Sequence, residues 1–406
     1  MKKAWKLSWS LIILLAASVA FTACSDDDDD NGGNEQPTAL EPADGETLIG
    51  EVKSGETMTL KADRSFTIDK ALRVRDGGTL KIEAGVTVTA SEDASATAMF
   101  IVIEQGGKID AQGTAEKPIV LTAAVKEPAS WGGMMICGRA PINLGTSATA
   151  EIGDAIYGGT VANDNSGTLK YVRIEYSGSR INDDAEHNGF TFYGVGNGTT
   201  VDHIEAYKGS DDGIEIFGGT VKMSYVVAYG SQDDQFDWSQ GWVGGVDYLY
   251  TEQVNDADYR QDKGIEADNQ SNHTATPISN PTLKNVTIMG YPDVLNGDDE
   301  VVDGIRIRVG SKGNLDNVVI IGYSGDGVDA RNYQTLNSLA DGSLIFTNLF
   351  TQGTARPFAV SLDGDEDPSE GTVVGEAGEA LEAAIVANEP TGANFDSWKG
   401  TWAKVN

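Results

Sequence analysis

Thiols are nearly absent from this chain: two cysteines, Cys24 and Cys137, stand in 406 residues. A disulfide framework is therefore excluded, and Cys137 reads as a small buried hydrophobe. Basic residues are also scarce, 29 against 62 acidic ones, for a net charge of −33. That balance excludes nucleic acid as a partner, and it repels acidic polysaccharides unless a bound calcium ion inverts the local charge. The most apolar run, Leu11 to Ala20, is too short to span a membrane. Of the three histidines, His203 and His273 have no evident partners and His187 heads a column of aligned positions; a structural role is expected for each.

What is present is glycine, at 49 residues, and many short Val, Ile and Thr runs. Segments such as Thr79-Leu80-Lys81-Ile82, Val86-Thr87-Val88-Thr89 and Lys108-Ile109-Asp110-Ala111 alternate apolar and polar residues. Gly77-Gly78, Gly85 and Gly106-Gly107 punctuate them. No helix-length periodic segment intervenes, so parallel strands must be joined by coil turns and not by crossover helices. Residues 144–167 interrupt the rhythm as an excursion. Residues 374–389 carry a helix-compatible pattern that predicts a cap over the open end of a solenoid, within a cap region at 370–406.

The N-terminus stands apart from the fold. Lys2, Lys3 and Lys6 precede the apolar run, and Phe21-Thr22-Ala23-Cys24 closes it with small residues. The segment resembles a bacterial lipoprotein signal, which implies that residues 1–23 are removed and that Cys24 is lipidated. Loss of those three lysines takes the net charge from −33 to −36. Ser25 and the run Asp26 to Asp30 open a solvated tether over 24–45. This run resembles the acidic signal that sends lipoproteins of Bacteroides-type bacteria to the outer face of the outer membrane. Residues 46–406 then form one solenoid domain.

The strongest signal is a repeat at an offset of 22 residues. Asp211-Asp212-Gly213-Ile214-Glu215 recurs as Asp233-Asp234-Gln235-Phe236-Asp237. A strand-rich repeat of this length predicts an all-β parallel β-helix, with equivalent residues stacked roughly 4.8 Å apart. Aligning further coils gives three columns. The first holds His187, Asp211, Asp233 and Asp262; the second Asn188, Asp212, Asp234, Lys263, Asp303 and Asp326. The third holds Thr191, Glu215, Asp237, Glu266, Arg306 and Asp329. Between them Phe190, Ile214, Phe236, Ile265, Ile305 and Val328 make an apolar column that must point inward, which leaves the third column facing solvent.

Stacked carboxylates repel unless something compensates them. One reading is structural, because Asp-Gly and Asn-Gly suit solenoid corners. The other is a calcium site with oxygen ligands from Asp211, Asp212, Asp233, Asp234 and Asp237. Glu215 and Glu266 then face a bound ligand, and Trp238, Trp242, Tyr229 and Tyr259 are candidates for stacking on sugar rings.

The Asp-Asp-Gly-Ile-Glu-Ile and Asp-Asp-Gln-Phe-Asp-Trp pieces resemble the calcium-binding stretch of polysaccharide lyase family 9, a right-handed, pectate-lyase-like β-helix. The resemblance implies that calcium held by such aspartates binds substrate uronate while a lysine on a later coil removes a proton. Glu266 stands where that lysine would be, so Lys263 and Arg306 are the basic candidates for catalysis. A longer stretch, including Trp131 to Asn143, Asp164 to Tyr176 and Val195 to Val201, resembles a large set of secreted and lipid-anchored β-helix proteins of Bacteroidetes.

Three functions follow as expectations. The first is a surface lipoprotein that binds a glycan or another outer-membrane component through an acidic, calcium-loaded face. The second is a polysaccharide lyase or hydrolase acting on uronate-containing glycans. The third is a structural or adhesive surface protein in which the ladder serves folding alone.

Overall fold

The computed structural model describes residues 38–92, 94–152, 154–182, 185–362 and 372–405. The signal, Cys24, the Asp26 to Asp30 run and most of the tether lie outside the described residues. The solenoid begins at Thr38, earlier than expected from the composition shift, because the strand Thr38–Leu40 already pairs in parallel with Glu56–Leu60.

Parallel pairing then continues coil upon coil. One ladder runs through the short strands Met134–Cys137, Phe190–Tyr193, Ile214–Phe217, Phe236–Ser239, Ile265–Ala267, Ile305–Ile307, Val328–Arg331 and Phe358–Ser361. A second runs through longer strands, among them Gly167–Glu175, Thr200–Tyr207, Lys222–Tyr229 and Gly245–Glu252. Each of these long strands bends at one residue with positive φ: Tyr171, His203, Tyr225 and Tyr248 in succession. The bends stack their rings, with centroids 4.3 Å apart from Tyr171 to His203 and from His203 to Tyr225. Side chains in the left-handed region carry a steric cost, and this aligned ring stacking offsets it.

The expected inward column is present. Phe190, Ile214, Phe236, Ile265, Ile305 and Val328 are all buried, and residues two positions on join them inside. This parity decides the tryptophans. Trp238 follows Phe236 by two and is 0 % exposed, with Ala267 beside it in the next coil making room for the indole. Trp242 is also 0 % exposed and donates its ring N–H to the Val221 carbonyl at 3.1 Å. Neither presents a face to a ligand, so both are core residues and not the sugar platforms expected from the sequence.

The excursion forms a short hairpin, Ala148–Thr149 with Ile156–Tyr157. It covers the outside of the sheet, where Ala150, Ala155 and Tyr157 pack with Phe100, Met135, Cys137, Tyr193 and Phe217. Cys137 is a buried free thiol as expected, and burial raises its pKa above the ordinary value.

The cap comprises two helices. α2, Thr372–Ala384, buries Ala377 and Leu381 one turn apart. It packs on α1, Tyr333–Ala340, and on the strands Leu344–Gln352 and Phe358–Ser361. α1 was not expected, since eight residues hold too few turns for a periodic signal to stand out. Beyond α2 the chain does not stay at the end. Phe395 stacks on Tyr250 with centroids 4.1 Å apart, and Trp398 and Trp402 sit edge-on against His203. This strap ends with the Lys404 amide donating to the buried Glu205 carboxylate at 2.8 Å, and with the Lys404 ammonium on Glu175 at 3.0 Å.

Candidate cation and ligand cleft

The register of the short strands sets the site. Thr191, Glu215, Asp237, Glu266, Arg306 and Asp329 are successive cross-strand neighbours, each one coil from the next. They alternate with the inward column on the outer side of the strands; Glu215, Asp237, Glu266 and Arg306 reach the cleft, whereas Thr191 and Asp329 are covered and not the solvent-facing residues expected.

The second column has a structural duty. The Asn188 side-chain oxygen accepts the Asp212 amide at 3.1 Å, Asp212 accepts the Asp234 amide at 2.9 Å, and Asp234 accepts the Lys263 amide at 2.8 Å. Asp303 does the same for Asp326 at 2.8 Å. One oxygen of each carboxylate thus satisfies the backbone of the next coil at its corner, the role expected of aspartate before glycine. In the first column His187 is buried, while Asp211 and Asp233 line the cleft.

These columns floor a cleft of about 500 Å³. Three triads of carboxylates meet there: Asp211, Asp212 and Asp233; Asp212, Glu215 and Asp237; and Asp233, Asp234 and Asp262. Within each triad one oxygen per residue lies within 4.8 Å of the others. Three charged lining residues escaped the repeat: Glu151 comes from the excursion hairpin, Glu186 from the hairpin Arg180–Asn182 with Ala185–Glu186, and Arg308 from the rim. Glu151 and Glu186 sit in insertions whose path the period does not give, whereas Asp262, also in the lining, stands in the first column and was legible there.

The charges are poorly compensated on one side of the cleft. Burial, reinforced by neighbouring carboxylates, raises Asp211, Asp212, Glu215 and Asp237 well above the usual carboxylate range. Asp233 is pushed up to about 6, chiefly by burial. Glu215 accepts the Asn188 amide at 2.5 Å, and one oxygen of Asp237 is shielded from solvent without any hydrogen-bond partner. Such an orphaned buried acceptor is costly.

The other side is compensated. The Lys263 ammonium lies 2.9 Å from Asp262, 3.1 Å from Glu266 and 3.5 Å from Asp234. Burial works against its charge, but Asp234, Glu266 and Asp262 outweigh this and raise its pKa. Arg308 pairs with Glu266 at 2.7 Å, and Arg306 with Asp303 at 2.7 Å and Asp329 at 3.1 Å. Both basic candidates for catalysis are therefore held in ion pairs. A lysine must be neutral to accept a proton, and the three carboxylates hold Lys263 as the ammonium; Arg306 stays charged in any case.

Of the expected site residues, the fold gathers Asp211, Asp212, Asp233, Asp234, Asp237, Glu215, Glu266, Lys263 and Arg306 around one cleft. It leaves Trp238 and Trp242 in the core. No curated protein and no solved structure matches the chain. A family described as the pectate-lyase-like β-helix domain matches residues 50–403. Parallel coils from Thr38 to Ser361 fill most of that match, and the chain belongs to this β-helix family.

Proposed function

We propose that this protein is a lipid-anchored β-helix of the outer-membrane surface that binds glycan through a divalent cation, calcium, held in the acidic cleft. The observation that carries the reading is the convergence of Asp211, Asp212, Glu215, Asp233 and Asp237, while the ion pairs of Lys263 and Arg308 go to Asp234, Asp262, Glu266 and Asp268. Within each triad, oxygens no more than 4.8 Å apart lie at most about 2.8 Å from a common centre, close to Ca–O distances of roughly 2.3–2.6 Å. The all-oxygen donor set suits a hard cation and not zinc or copper. The orphaned Asp237 oxygen supports the same assignment, because an ion supplies the missing partner.

A cation in this position reverses the local field. Sugar hydroxyls and carboxylates then become ligands where a bare cleft repels them. The family description is consistent with a carbohydrate-related role. The ion pairs on Lys263 and Arg306 favour binding over bond cleavage, since neither is free to act as a base.

The test is retention on immobilised acidic and neutral glycans in calcium and in chelator. Retention of a glycan in calcium and its loss in chelator is expected. Equal behaviour in both conditions, or no retention of any glycan, counts against the reading.

A further inference from the structure

We propose that Lys263 is a built-in counter-ion that fills one carboxylate triad of the cleft and thereby confines divalent cations to the Asp212 side. The inference rests on the cation reading above and concerns where the ion is admitted.

Repetition of the coil makes carboxylate triads in series, and in the third, Asp233, Asp234 and Asp262, the oxygens again lie within 4.8 Å of one another. It differs in what sits within it. The Lys263 ammonium contacts Asp262 and Asp234, and Glu266 beyond them, from a side chain only 6 % exposed. Asp234 is engaged twice by this residue, since the same oxygen accepts the Lys263 amide at 2.8 Å. A compact ammonium with three donors directed at carboxylates does in that coil what a metal ion does elsewhere.

One coil back, the position equivalent to Lys263 is Asp234, and two coils back it is Asp212. Those coils bring a carboxylate where this one brings a cation. The Asp212, Glu215 and Asp237 triad is held by neutral donors, the Asn188 amide on Glu215 and the Asp234 main-chain N–H on Asp212, while Arg308 and Lys263 act on Asp237 only from a distance and one Asp237 oxygen is shielded and unpartnered. The two ends of the acidic column are thus unequal: one is neutralised by the chain itself and the other is left open for an exogenous ion. Asp234, expected from the sequence to be a metal ligand, is withdrawn to Lys263.

Calorimetric titration of the mature, full-length protein with calcium chloride tests this. Lys263→Met is expected to bind one more ion per chain than wild type, and Lys263→Arg, which keeps the charge, to bind the wild-type number. Asp262→Asn removes a partner of the lysine and is expected to leave the wild-type number unchanged. If Lys263→Met is unfolded in chelator, refolding by added calcium supports the proposal. A folded Lys263→Met with wild-type stoichiometry overturns it, as does loss of an ion in Asp262→Asn, which decides the matter even if Lys263→Met never folds. Those results leave the cation reading standing; absence of calcium uptake by the wild type overturns both.

Discussion

Replacing Asp237 by asparagine should have opposite effects in chelator and in calcium. Asp237 shares a triad with Asp212 and Glu215, with oxygens within 4.8 Å. Two unit charges at that distance repel by about 3 kcal/mol at an effective dielectric of about 20, so the ion-free cleft carries a penalty of that order for each ionised neighbour. The sign follows from the pKa direction. The folded-state value of Asp237 is raised above its unfolded value, so the penalty is absent at acid pH and grows as pH rises through the unfolded value near 4. At neutral pH in chelator, Asp237→Asn should therefore melt above wild type. In calcium the order should reverse. An ion at 100 times its Kd stabilises the native state by about 2.7 kcal/mol, which corresponds to roughly 3–4 °C for a domain of this size. The variant, lacking a ligand, should lose most of that gain. Differential scanning fluorimetry of both proteins in the two buffers reads this crossing. An Asp237→Asn protein that melts below wild type in chelator, or gains as much from calcium, would refute the reasoning.

Burial of His187, 2 % exposed and with neither ring nitrogen in a hydrogen bond of normal geometry, lowers its pKa to about 4. Stability should therefore fall by about 3 kcal/mol as pH drops from 6.5 to 4, and a denaturant series on His187→Leu should lack this component of the slope. Trp402→Ala in the C-terminal strap removes a side chain that is 0 % exposed and should cost about 3–5 kcal/mol, read as a lowered urea midpoint. Cys24→Ser should move the protein from the membrane fraction to the soluble fraction on cell fractionation; unchanged membrane association would defeat the lipid-anchor assignment.

The fold was legible where the chain repeats itself. The offset from Asp211 to Asp233 fixed the stacking, and the apolar residues Ile214 and Phe236 fixed which side of the strand is inside. The same parity places Trp238 in the core, two residues on from Phe236; its aromatic chemistry suggested a sugar platform that its position in the pleat forbids. Glu151 and Glu186 were not legible, because hairpins inserted between coils follow no period. The strap was hidden for a related reason. Phe395, Trp398 and Trp402 find partners on coils far away in sequence, and a bent strand shows its ring ladder only once Tyr171, His203 and Tyr225 are stacked.

The structural reading of the aspartate ladder and the cation site proposed above are not exclusive, because they draw on different atoms of the same residues. In Asp212 one oxygen accepts the Asp234 amide, which is the corner duty that makes aspartate favourable before glycine. The residue nevertheless belongs to two of the three triads, so the same carboxylate anchors the backbone and faces the cleft. Anchoring preorganises it: a side chain already held by a main-chain N–H loses little freedom when it meets an ion. A solenoid that needs an acid at each corner thus generates preorganised oxygen ligands as a by-product of its coil. On the cation reading proposed above, whether a triad admits an ion then depends on whether Lys263 reaches it: Asp234 and Asp262 hold the ammonium, and Asp212 has no such ion pair among the described residues.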